Sequence, residues 1–93
     1  MIRSHRNAVT EAIASGRAPK GFPSNIIKSA LRKLTMIDEA RRLEDLLAPP
    51  GNRLEALKGD RKGQHSIRIN DQWRICFTWR NTDAYDVEIV DYH

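Results

Sequence analysis

Two runs of alternating residues meet at Asn70-Asp71-Gln72, and their phase leaves one register for the pair. Before the turn, Ile67 and Ile69 share a face of His65-Ser66-Ile67-Arg68-Ile69. After it, Trp73, Ile75, Phe77 and Trp79 share a face of theirs. Side chains alternate along a strand, so a one-residue slip would turn a whole apolar set to water. A three-residue loop avoids this by setting Ile69 opposite Trp73 and Ile67 opposite Ile75. The same register puts Arg68 directly opposite Arg74 on the other face. Like charges in that position destabilise by roughly 0.2–1 kcal/mol. The pair therefore calls for negative charge. Either an anion sits between the two arginines, or Glu88 or Asp86 neutralises them. In a regular last strand both acids share the face opposite Tyr85, Val87 and Ile89.

The rest of the chain supplies a layer to cover the apolar face of this hairpin. Met1–Ser4 fits an edge strand, and Val9, Ala12 and Ile13 repeat at helical spacing up to a stop at Ser15-Gly16. Residues 16–23 hold two Gly and two Pro and predict a loop. Pro23 and Ser24 start a longer helix with Ile27, Ala30, Leu31 and Leu34 inward, and with Lys28, Arg32 and Lys33 off the stripe. Asp38 is placed to cap a short helix with Ala40, Leu43 and Leu47 inward, ended by Pro49-Pro50-Gly51. The period then changes from helical to two. Leu54 and Leu57 flank a short strand, residues 59–63 turn, and Tyr85–Val90 makes the last strand. Helices followed by a meander of strands predict one α+β domain over 1–93, with helices on one face of an antiparallel-rich, twisted sheet.

Charge narrows the partner. Residues 1–33 carry seven Lys/Arg against one acid and residues 51–80 seven against three, whereas 81–93 carry four acids and no Lys or Arg. A basic surface on a small domain favours a polyanion, most often nucleic acid; the alternative is a solvated surface of mixed charge. One cysteine makes no internal disulfide, Cys and His are too few at ligand spacing for zinc, and no cofactor is implied. No apolar run reaches about 18 residues and no secretory leader is evident, so a reducing cytoplasm is expected.

Three stretches occur together in order: Leu57-Lys58-Gly59-Asp60-Arg61, Ile69-Asn70-Asp71-Gln72-Trp73-Arg74-Ile75 and the ending Asp91-Tyr92-His93. From about Ile26 onward the chain resembles the HigB toxins of bacterial type II toxin–antitoxin systems. These form the plasmid maintenance killer branch of the RelE superfamily, which includes GraT. The resemblance implies a RelE-like microbial-RNase fold and a metal-independent endoribonuclease that cuts mRNA in the A site of the small ribosomal subunit. It also implies a bacterial, cytoplasmic toxin neutralised by a HigA-type helix-turn-helix antitoxin, with operator DNA reached only through that complex. A second reading keeps the basic face but drops catalysis: a protein that binds ribosomal RNA, or an antitoxin-bound co-repressor. Glu55 and the acidic last strand favour it.

Metal-free RNA cleavage needs a base for the 2′-hydroxyl, cations on the phosphate and an acid for the 5′-oxygen. The resemblance makes His93 the acid–base residue, Asp91 its orienting or proton-accepting carboxylate, and Tyr92 a stacking or phosphate-binding group. Arg74 offers a planar fork to phosphate, and Lys58 reaches substrate from a strand end. Arg68, Arg61, Lys62 and Glu55 complete the expected RNA contacts. Some HigB toxins carry histidine where this chain has Glu55, and others, GraT-like ones included, carry Glu; if that histidine contributes to cleavage, this chain is either slower or uses Glu55 as its base. His65 and Cys76 are expected to be structural, and Trp73 and Trp79 core.

Overall fold

The computed structural model describes residues 1–91; Tyr92 and His93, the expected stacking and acid–base residues, lie outside them. Two helices, α1 (Ala8–Ala14) and α2 (Ser24–Glu39), pack on a four-stranded sheet of β1 (Glu55–Ala56), β2 (His65–Arg68), β3 (Trp73–Arg80) and β4 (Asp83–Asp91). The strand order is β1-β2-β3-β4, antiparallel throughout. This is the expected α+β arrangement.

Each helix has a local cause. The Asn7 side chain accepts from Thr10 N at 2.9 Å and so caps α1, satisfying a donor that the first turn leaves orphaned. Gly16, at φ 83, ends it in a left-handed conformation that glycine adopts without penalty. Pro23 precedes α2 as expected. Its buried stripe is Ile26, Ala30, Lys33, Leu34 and Ile37, rotated from the predicted one; Ile27 and Leu31 are half-buried at its margin. Lys33 is thus not solvated: it is 9% exposed and donates to the Oδ1 of the fully buried Asn52.

The second predicted helix is also corrected. α2 runs on through Asp38, whose Oδ1 accepts from Ile2 N at 2.8 Å. A 3-10 turn follows at Leu43–Leu47. Arg42 caps it, and Asp45, at its third position, reaches back to accept from Arg41 N and Arg42 N at 2.9 and 3.0 Å. Leu46 points inward, and Leu47 is 60% exposed. Asn52 Nδ2 then donates to Leu46 O and Ala48 O, both at 3.2 Å, tying this turn to α2 through Lys33.

The hairpin register is as expected: Ile67 pairs with Ile75 and Arg68 with Arg74, and Ile69 N donates to Trp73 O at 2.9 Å. Ile67, Ile75 and Phe77 meet Ile13, Ala30, Leu34 and Ile37 in the core. Trp73 and Trp79 pack partly buried against it, and Phe22 rests on Trp73 with ring centroids 5.0 Å apart. The loop over 16–23 is therefore anchored at its far end. Residues 1–6 lie parallel to the outer edge of β4, with bridges Ile2–Ala84 and His5–Val87. They cover a strand edge that would otherwise be open to pairing.

One irregularity moves a side chain to the opposite face. Cys76 pairs with Glu88 and Thr78 with Tyr85, so Phe77 alone faces both Asp86 and Val87. Asp86 is the extra residue, at φ 52. A bulge of this kind reverses the alternation of the strand before it. Tyr85 consequently lies on the same face as Glu88, not opposite it, and Ala84 is buried in its place.

Candidate functional site

The sheet face away from the helices holds the site. Four successive cross-strand partners, Glu55, Ser66, Cys76 and Glu88, form a row across all four strands on that face. The two central side chains are small and fully buried. Burial also pushes the Cys76 thiol up, against the opposing pull of the Arg61 guanidinium. That makes Cys76 a structural residue rather than a nucleophile.

Two guanidiniums are fixed at this row from different segments. Arg74, 9% exposed, donates from Nε to Ser66 Oγ at 2.8 Å and from Nη2 to Arg53 O at 2.7 Å and Ser66 O at 3.3 Å. Arg61, at the end of the 3-10 turn Gly59–Arg61, donates from Nη1 to Glu88 Oε1 at 3.1 Å and to Gln64 Oε1 at 3.2 Å. Arg6 Nε lies 3.8 Å from the same Glu88 oxygen.

These contacts answer the question set by the paired arginines. Neither Glu88 nor Asp86 is the neutralising partner. Glu88 is engaged by Arg61 and Arg6, and Asp86 is turned outward at the bulge. Arg68 instead pairs with Asp71, whose side chain is fully exposed, in the hairpin turn. Ion pairs of that kind contribute little and exchange readily. Arg68 thus remains able to trade Asp71 for a phosphate.

The other expected residues fall as follows. Glu55 and Lys58 are exposed and line one shallow depression with Ala56 and Leu57. Lys62 is exposed beyond the 3-10 turn. Asp91 pairs with Trp73, on the helix-side phase, and accepts from Gln72 Nε2 at 3.1 Å. His65 packs against Phe77, as expected. The chain therefore brings Arg74, Arg68, Arg61 and Glu55 to one face with Lys58 at its rim. Ser66 and Asp71 belong to the site without having been singled out, and Glu88, weighed as the partner of Arg74, serves Arg61 instead. Only Asp71 carried a signal, as an acid three residues after Arg68 in a tight turn.

This face is a cationic surface with ordered arginines and an exposed carboxylate, and the comparisons with known proteins give it a context. The family model for the RelE-like toxin HigB of type II toxin–antitoxin systems matches residues 10–93. The chain belongs to the HigB-like toxin family. Among HigB relatives, Toxin HigB-1 of Vibrio cholerae is 49% identical over 58 residues, which is 62% of this chain and 61% of that protein. Endoribonuclease HigB of Proteus vulgaris is 33% identical over 97 residues, covering 100% of both chains. The fold of this HigB-like chain is similar to the Staphylococcus aureus YoeB–YefM complex structure, with TM-score 0.62 at 19% identity over 100% of this chain and 98% of the other. Escherichia coli YafQ gives TM-score 0.64 at 13% identity over 98% and 91%.

Proposed function

We propose that this HigB-like chain is an endoribonuclease toxin that cuts mRNA in the ribosomal A site. In this reading it acts without a metal, works in the bacterial cytoplasm and is neutralised by a HigA-type helix-turn-helix antitoxin, through which alone it reaches operator DNA. The observation that carries the reading is the pair of ordered guanidiniums, Arg74 and Arg61, at the Glu55–Ser66–Cys76–Glu88 row. Preorganised cations stabilise the charge that grows on a phosphate during transfer, often as the largest single term in catalysis. The name of the Proteus relative adds support for ribonuclease chemistry.

The steps follow from the groups present. The 2′-oxygen attacks the adjacent phosphorus as its proton passes to a base. The bond to the 5′-oxygen breaks, and that oxygen takes a proton from an acid. The products are a 2′,3′-cyclic phosphate and a 5′-hydroxyl. Glu55, exposed on the same face as Arg74, is the proton acceptor. His93 is the proton donor, oriented by Asp91, and Tyr92 contacts base or phosphate. Arg74 and Lys58 hold the scissile phosphate, while Arg68, Arg61 and Lys62 hold its neighbours.

Primer extension on mRNA, with and without programmed 70S ribosomes, tests this. Cuts within A-site codons only when ribosomes are present are expected, with loss of at least about 100-fold in Arg74→Ala and His93→Gln. Ribosome binding with no cut at any codon would leave the non-catalytic reading in its place.

A further inference from the structure

The bulge at Asp86 has placed an aromatic ring on the site face. Tyr85 pairs with Thr78, one step along the sheet from the Cys76–Glu88 pair. Strands rise about 3.3 Å per residue, so this pair lies roughly 7 Å from that row and roughly 13 Å from Arg74. The Arg80 guanidinium lies over the Tyr85 ring, 4.1 Å from its centroid. Arg80 is exposed and Tyr85 half-buried. The geometry is held from outside the sheet: Asp86 N donates to Ser4 Oγ at 2.8 Å, and Val87 N to Ser4 O at 3.0 Å. A regular strand would have put Tyr85 in the core and Ala84 on the surface.

We propose that Tyr85 and Arg80 form a nucleobase-stacking subsite, which takes the base of an RNA nucleotide flanking the scissile phosphate. Single-stranded RNA is held by stacking its bases on aromatic rings or on guanidinium planes beside a basic groove. Here the ring backs the guanidinium, and Arg61, held by Glu88 in the row between this stack and Arg74, meets the intervening backbone. Bases flanking the cut are thereby gripped by their faces, which every base possesses, so the subsite adds affinity with little sequence preference. A ring that served only to cap the sheet end had no need to leave the helix side.

The inference rests on the ribonuclease reading for its location, but its test is one of binding. Ribosomes are programmed with mRNA whose A-site codon is 2′-O-methylated and so uncleavable, and the base is removed at each codon position in turn. Toxin affinity is measured by filter binding. For the native chain, one abasic position is expected to weaken binding about tenfold. That difference is expected to vanish in Tyr85→Ala, to persist in Tyr85→Phe and to shrink in Arg80→Ala. Circular dichroism melts confirm that each variant is folded. An abasic penalty of equal size in Tyr85→Ala and the native chain overturns the subsite, as does no penalty at any position. Absence of cuts in unmodified mRNA, with the abasic penalty intact, overturns the ribonuclease reading alone.

Discussion

Lys33 is a charged side chain held inside the helical layer, and its chemistry is set by that place. Burial lowers its pKa below the usual 10.5, with repulsion from Arg32 and Arg68 adding to the effect. Its hydrogen bond to Asn52 Oδ1 keeps it there. The folded chain thus holds this proton less tightly than the unfolded chain does. Stability rises with pH wherever the unfolded state binds more protons. The native chain therefore gains stability as pH climbs from the folded pKa toward 10.5. Lys33→Met removes the titration and leaves Asn52 Oδ1 unpaired, at a cost of about 1–3 kcal/mol. Urea melts of both proteins at neutral pH and just below 10.5 are expected to show the stability gap widening with pH. A gap that narrows or stays constant would mean that Lys33 keeps its ordinary affinity for the proton. The sequence showed a lysine beside an apolar stripe; nothing local marked it as buried, because its partner Asn52 lies 19 residues away across the Pro49-Pro50 turn.

At the level of elements, sequence and structure part in the segment after α2, where a 3-10 turn replaces a helix, and again in β4. The hairpin was legible because both its strands carry one uninterrupted phase, and a slip in either would expose Ile67 or Phe77. In β4 the run Tyr85-Asp86-Val87 keeps the same apolar–polar alternation while the backbone inserts a residue. Phase read from residue types cannot register an insertion that leaves the pattern intact. Charge partners were hidden for a related reason: Arg61 and Glu88 are 27 residues apart, and only the closed sheet brings them together. The bulge itself is open to test through Asp86, whose φ of 52 suits glycine better than most residues. Asp86→Gly is expected to stay within about 0.5 kcal/mol of the native stability. Asp86→Val, β-branched at a left-handed position, is expected to lose roughly 1–3 kcal/mol. Denaturant midpoints decide between them. Equal stability of the two variants would mean that the strand regularises at no cost and that the bulge is not built in.

Across the whole molecule the charge is sorted by face and by readiness. On the site face Arg61 and Arg68 are engaged by Glu88 and Asp71, and Arg74 is held by Ser66 and Arg53 O. Lys58 and Lys62 are exposed at the rim, where neither forms an ion pair with a described residue. A phosphate that meets a rim lysine releases condensed counterions, whereas one that meets an engaged arginine first displaces a carboxylate. The two kinds of cation therefore differ in salt dependence. Each single-strand phosphate neutralised by an otherwise unpaired cation contributes a slope of about −0.7 to log K against log salt. Lys58→Gln is expected to make the slope for programmed ribosomes shallower by about that amount. Asp71→Asn frees Arg68 in the unbound chain, so it is expected to raise affinity most at low salt and to steepen the slope. Lys28→Gln, exposed on α2 across the sheet from the site, is expected to leave the slope unchanged. Ribosome-binding titrations over a range of potassium concentrations read all three. A slope that responds to Lys28 and not to Lys58 would place the RNA on the helical side, and the row from Glu55 to Glu88 would lose its claim to the substrate.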